Sequence, residues 1–298
     1  MPHLRRFRRV FAGFALGLLC AASASAQTKQ RTLYVSVLDR QGAPVKDLTP
    51  EGIVVREDGV AREVLKVEPA TDPMRVVLLV DNSQAASRAI QFLRDGLGRF
   101  VNRITAAGHS VSFVTLADRP TLEVDATKDA ATLKSRGVDR LFARPGAGMY
   151  LLDAIIETSR GLVKNEVPRA VMVAVITEGV EFSNASYQQV LEAIRDSGAA
   201  FHALVITGEA EADQSSDEVR NRNVVLDRGT REFGGRRETL ISTLAIPDAL
   251  DKLATELLNQ YKVTCASPER LIPAERITVE AADKALIARG VPAKVSNP

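Results

Sequence analysis

Residues 75–85 read RVVLLVDNSQA. Val76 to Val80 is an unbroken apolar run, and such a run marks a strand covered on both faces, as in a parallel sheet with helices on either side. A half-buried strand would alternate instead. Downstream, Ile90, Leu93, Leu97, Val101 and Ile104 recur at helical spacing. Val111 to Leu116 predicts a second strand. Leu151, Leu152, Ile155, Ile156, Leu162 and Val163 line another helix, and Val171 to Ile176 is a long buried strand. Val190, Leu191 and Ile194 form a helix stripe, Phe201 to Ile206 a further strand, and Leu250, Leu253, Leu257 and Leu258 a last helix. Alternation of this kind predicts an α/β class: an open, doubly wound, mostly parallel sheet of Rossmann-like type.

On either side the texture changes to β. Upstream, Leu33, Val35 and Val37 alternate along a strand, Asp39-Arg40-Gln41-Gly42 makes a turn, and Asp58-Gly59 is a hairpin dipeptide between Val54-Val55-Arg56 and a return from Val60 to Val67. Downstream, Tyr261-Lys262-Val263-Thr264, Ile277-Thr278-Val279 and Leu286-Ile287 read as strands. So short a tail cannot make its own core. The expectation is one small antiparallel β domain formed from both chain ends, with the α/β domain inserted. The boundaries that follow are 1–26, 27–72, 73–260 and 261–298.

The first 26 residues read as an address. Arg5, Arg6, Arg8 and Arg9 precede an apolar stretch from Val10 to Ala22, and Ala24-Ser25-Ala26 is a small-x-small cleavage site. The stretch is too short to span a membrane comfortably. An exported protein is therefore expected, periplasmic or secreted, with no membrane span after signal cleavage. The net charge of +2 over 298 residues rests on those four arginines; the rest holds 35 basic against 37 acidic residues. Nucleic acid is not an expected partner. Aromatics at 5 % and no tryptophan speak against a stacking platform. Beyond the leader only Cys265 remains, so stability has to come from the core and not from an internal disulfide.

In an open α/β sheet, ligands bind outside the carboxyl ends of the strands. The first strand ends in Asp81-Asn82-Ser83-Gln84-Ala85, and the strand at 171–176 ends in Thr177-Glu178-Gly179. Asp81 and Glu178 are expected on one rim. With Ser83 they would form an oxygen-rich concavity of the kind that suits Mg²⁺, Mn²⁺ or Ca²⁺. Asp and Ser are also favoured helix N-caps, so Asp81 and Ser83 have a purely structural alternative.

At these residues the chain resembles the von Willebrand factor A domain. That family's metal site uses an Asp-x-Ser-x-Ser run, a Thr in a later loop and an Asp after a later strand. Asp81 and Ser83 match the first two positions; Ala85 replaces the second serine, Met149 stands where the threonine would be, and Glu178 stands where the Asp is expected. Residues 35–69 (VSVLDRQGAPVKDLTPEGIVVREDGVAREVLKVEP) and 256–281 (ELLNQYKVTCASPERLIPAERITVEA) also resemble a bacterial exported, acidobacterial-type group related to the A domain. The resemblance implies a non-enzymatic, adhesion-type protein whose rim contacts another protein, through Asn82, Gln84, Met149, Tyr150 and Gly179 around a degenerate site of Asp81, Ser83 and Glu178. No cofactor, or a weakly bound divalent cation, is expected. The competing readings are cation-dependent adhesion, metal-assisted hydrolysis by the rim acids, and an envelope component that docks through its sheet edges.

The remaining candidates read as structural. His202 lies inside an apolar strand, and no motif links it or His109 to a nucleophile. Gly146-Ala147-Gly148 follows no strand and is short of a phosphate-binding fingerprint. Glu209 to Glu218 reads as an exposed acidic loop, Ser183 and Ser186 as the start of a helix, and Cys265 as a buried thiol.

Overall fold

The structure is a computed structural model that describes residues 29–208, 216–268, 274 and 276–294. The leader at 1–26 and the acidic residues 209–215 lie outside the described residues. Three sheets are present among those described. The central one has six strands: β5 (Arg75–Val80), β6 (Ser110–Thr115), β7 (Thr121–Thr127), β8 (Ala170–Thr177), β9 (Ala200–Ile206) and β10 (Arg237–Leu240). Their order is β7-β6-β5-β8-β9-β10, parallel throughout except for β7 at one edge. Chain order therefore runs outward from β5 in one direction and from β8 in the other, the doubly wound arrangement with its switch point between β5 and β8.

The apolar runs divide by parity. Val76, Leu78 and Val80 of β5, with Val171, Val173 and Val175 of β8, enter a core covered by α1 (Ile90–Ala106) and α7 (Ile246–Leu258). Val77, Leu79, Met172, Ala174 and Ile176 enter the opposite core, under α3 (Leu151–Lys164) and α4 (Tyr187–Ser197). Alternate side chains of a strand point to opposite faces, so both parities must be apolar when both faces are covered. Three shorter helices complete the domain: α2 (Ala130–Thr132), α5 (Asp217–Val224) and α6 (Thr230–Glu232). No helix among the described residues is long and apolar enough to cross a membrane.

The β unit is built from both ends of the chain. β1 (Lys29–Leu38) sits between β11 (Tyr261–Ser267) and β13 (Ile287–Pro292), antiparallel to both, and β4 (Val64–Pro69) flanks β11. A smaller sheet, β12-β2-β3, pairs β2 (Ile53–Glu57) with β3 (Val60–Arg62) and β12 (Ile277–Ala281). Leu33, Val35, Val37, Ile53, Val55, Val263, Cys265 and Val279 form the core between the two sheets. Asp58 (φ 49°) and Gly59 (φ 82°) make the β2–β3 turn with two left-handed residues, which matches the right-handed twist of a hairpin.

Three expectations need correction. The return from Val60 to Val67 is two strands: β3 stays with β2, while β4 crosses to β11 in the other sheet, with the change at Glu63. β7 and β10 were not foreseen; both are edge strands with polar, partly exposed residues and lack the long apolar run. Asp217 and Glu218 are not loop residues but the first turn of α5, where acids complement the helix dipole and Ser216 accepts from the Val219 amide.

Candidate functional site

β5 hands its ladder on for one residue, the Asp81 amide donating to the Val175 carbonyl at 2.9 Å. The Asp81 side chain then turns inward and is fully buried. Its Oδ1 accepts from the Ser83 amide at 2.8 Å, and its Oδ2 accepts from the Thr177 amide at 3.0 Å. The aspartate thus ties the end of β5 to the end of β8. Burial pushes its carboxyl up, against the opposing pull of those two amides and of the Arg222 guanidinium. Ser83 stands before a short helical turn, Gln84–Arg88, but its side chain makes no capping bond. The helix-cap alternative for Asp81 and Ser83 is therefore replaced by a bridge between strands.

Glu178 follows directly on Thr177, half-buried, its amide held by the Ile206 carbonyl at 2.8 Å. It lines a cleft of about 680 Å³ together with Ser83, Gln84, Ala85, Gly146 and Thr207. Ser83 and Glu178 therefore meet at one cleft over the switch point, with Asp81 beneath it.

The five residues expected on the contacting rim divide. Gln84 is exposed, its amide donating to Ala147 O at 3.0 Å and its Oε1 accepting from the Gly146 amide at 3.1 Å. Tyr150 is partly exposed and packs against Phe182, ring centroids 6.0 Å apart. Asn82 and Met149 are buried and stand outside the cleft lining, which corrects their place on the contacting rim, while Gly179 is buried but lines the cleft. Asn82 Oδ1 instead accepts from the Leu116 and Ala117 amides, at 3.2 and 2.8 Å. Met149 bridges Ala117 and Glu181 by backbone pairing. A Cβ on Gly179 would lie 2.7 Å from the Ala85 Cβ, so glycine is needed for the close approach of the two loops.

Three further polar groups are buried at this site. Glu181 is buried, with Oε1 accepting from the Ser183 amide at 3.3 Å and Oε2 unpartnered; burial raises its carboxyl to about 7. Arg222, on α5, is also buried, and its Nη1 donates to the Gly179 carbonyl at 2.6 Å. Burial lowers its pKa, and the nearby charges of Glu181, Glu178 and Asp81 oppose that fall. The Thr177 hydroxyl is buried with no hydrogen-bond partner among the described residues. A charge buried without partners is expensive, and one guanidinium among three carboxylates offsets much of that cost.

This donor set fits a hard divalent cation poorly. Both Asp81 oxygens already accept backbone amides, Ala85 and Met149 offer no oxygen from their side chains, and a fixed guanidinium already lies among the acids. Among the described residues, no group of three or more His, Cys, Asp or Glu stands ready to hold a metal ion.

The other histidines and the cysteine are structural. His202 is fully buried on β9 and held neutral, its pKa driven down to about 4 by burial. His109 accepts from the Met74 amide at Nδ1, 3.2 Å away. Cys265 is a buried thiol in β11. Ser186 caps α4 in a reciprocal arrangement with Gln189.

No family model and no curated protein matches this sequence. Solved structures do. A von Willebrand factor type A protein from Catenulispora acidiphila is 12 % identical, over 92 % of this chain and 67 % of that one, with a TM-score of 0.49. The von Willebrand factor domain of the type V pilus tip protein Mfa5 from Porphyromonas gingivalis is 12 % identical, over 61 % of this chain and 94 % of that one, with a TM-score of 0.46. A mutant of the PilB minor pilin from Streptococcus sanguinis is 10 % identical, over 62 % and 61 %, with a TM-score of 0.48. At such values the fold assignment rests on the strand order and switch point described above.

Proposed function

We propose that the chain is an exported, non-enzymatic A-domain-type protein whose switch-point rim binds another protein without depending on a metal. One observation carries this reading: exposed apolar residues surround the cleft, while Asp81 and Glu181 are buried beneath it and Glu178 is the acid of its lining. Val180, Phe182, Ile241 and Leu244 are 49, 48, 92 and 71 % exposed. Val180, Phe182 and Ile241 line the cleft itself, and Leu244 follows its Thr243 wall. Single exposed apolar residues are ordinary, but several at one concave switch point mark an interaction surface. Of the two rim acids, Asp81 is fully buried and accepts two backbone amides, so Glu178 lines the cleft without Asp81 beside it as the second member of a hydrolytic pair, which argues against hydrolysis by rim acids.

The test is capture from extract of the native cells, with and without chelator. The intact chain should retain its partner in chelator, and Phe182→Asp with Ile241→Asp should lose it, at an unchanged melting temperature. Retention by the double variant removes the rim from the reading. Loss in chelator, together with a melting temperature raised by millimolar Mg²⁺ or Ca²⁺, would favour the cation-dependent alternative. That alternative draws its support from the unpartnered Thr177 hydroxyl beside Asp81.

A further inference from the structure

The amino ends of the central strands carry a second concavity, remote from the rim. There the turn after α6 meets the returning C-terminal strands. The Phe201 amide, opening β9, donates to the Phe233 carbonyl at 3.2 Å, and Gly234 follows with φ 67°. A Cβ on Gly234 would lie 2.6 Å from the Gly290 carbonyl carbon of β13, so the two backbones touch. Beside this contact opens a cleft of about 460 Å³. Arg228, Arg231, Arg276 and Arg289 line it, and the lining acids are only Glu232 and Glu280, which leaves two positive charges in excess.

The four arginines are not equally committed. Arg228 spends itself on Glu232, at 3.0 Å, and lies over the Tyr187 ring. Arg289 is paired with the buried Glu256 at 3.2 Å. Arg231 gives its Nε to the Asp227 carbonyl at 3.0 Å, and its two terminal nitrogens have no partner among the described residues. The Arg276 guanidinium has no ion-pair partner among the described residues, although its backbone amide is fixed by Asp58 Oδ1 at 3.0 Å. Two exposed guanidiniums with open forks therefore face one cleft, from the α/β domain and from the β unit respectively.

We propose that this cleft binds a phosphate-type oxyanion, with Arg231 and Arg276 as its two charged arms. A guanidinium fork matches phosphate oxygens two at a time, and closure by arms from two units makes the anion a clip between them. The proposal is independent of the rim, because no residue is shared between the two clefts.

Titration calorimetry of the whole chain with inorganic pyrophosphate at low ionic strength is the first arm of the test. Flotation with phosphatidylglycerol vesicles, against phosphatidylcholine vesicles, is the second. The expectation is pyrophosphate binding that becomes roughly tenfold weaker in Arg231→Ala with Arg276→Ala and recovers in part with lysine at both positions. Both residues are exposed, and an unchanged melting temperature of the double variant checks its fold. Vesicle binding that is lost in the same variant also supports the site and assigns the phosphate to a lipid headgroup. Absence of binding in both arms, or binding that survives the double alanine variant, overturns the proposal.

Discussion

Glu181 shows what a single buried carboxyl does to the stability of the rim. Its pKa is raised to about 7 from an ordinary 4.5, chiefly by burial. The folded state therefore holds a proton that the unfolded chain releases between these values, and stability is full below about 4.5 and declines as pH rises through 7. Glu181→Gln keeps the neutral shape and removes the titration. Chemical denaturation at pH 5 and pH 8 should show the variant roughly 3 kcal/mol more stable than the parent at pH 8 and within about 1 kcal/mol of it at pH 5. An equal pH dependence in both proteins would show that another group sets it. Asp81 was legible in the sequence because the residue after a buried parallel strand has a known position. Glu181 and Arg222 were not: α5 is mostly polar, with Val219 and Val224 as its apolar residues, and nothing in a charged residue's neighbours announces that its charge will be buried. The assignment of Asn82 and Met149 to a contacting surface failed for a related reason. Strand-end loops of this sheet bond to one another, Arg144 to Asn82 and Met149 to Val180, so residues such as these face a neighbouring loop and not solvent.

Among the elements, α1 offers a comparison between two glycines two residues apart. A Cβ on Gly96 would stand 2.8 Å from Leu250 Cδ1 and 3.0 Å from Pro247 Cα, at the crossing with α7. A Cβ on Gly98 would meet nothing within 4 Å. Alanine in place of a helical glycine gains up to about 1 kcal/mol from propensity, and overpacking costs about 1–3 kcal/mol. Gly98→Ala should therefore stabilise, while Gly96→Ala should destabilise by about 1 kcal/mol, in the same denaturation assay. Two shifts of one sign would mean that α7 moves aside freely. Elements of this kind were readable wherever both the period and the burial were extreme. β5, β8 and β9 are apolar at both parities because both faces are covered, and α1 and α7 each keep one apolar stripe. β7 and β10 escaped because an edge strand needs neither, and β3 and β4 merged because nothing in Glu63 marks a change of sheet.

Across the whole molecule the decisive contact is between the ends of the chain. β1 pairs with β11 and β13, more than two hundred residues further along the chain, so its sheet depends on contacts that span the whole α/β domain. The joint is specific. Arg169 donates to the Asp72 carbonyl at 2.6 Å and to Gln260 Oε1 at 2.9 Å, with its guanidinium 4.5 Å from the centre of the Tyr34 ring. Gln260 reaches on to Ser36 Oγ at 3.1 Å. Both connections between the units, at Asp72 and at Gln260, are thus held by one buried arginine. A chain that ends at Pro268 keeps β11 and this joint but loses β12 and β13, with the buried Val279 and Val291 and the Arg289 partner of Glu256. Two largely buried valines contribute roughly 3–5 kcal/mol, and at about 2–4 °C per kcal/mol the melting temperature should fall by roughly 10 °C. The exposed faces of β1 and β2 should bind a hydrophobic dye at temperatures where the full chain does not. A truncated chain that melts like its parent, without dye binding, would mean that the β unit does not depend on its last two strands, and the reading of both ends as one cooperative body would fail.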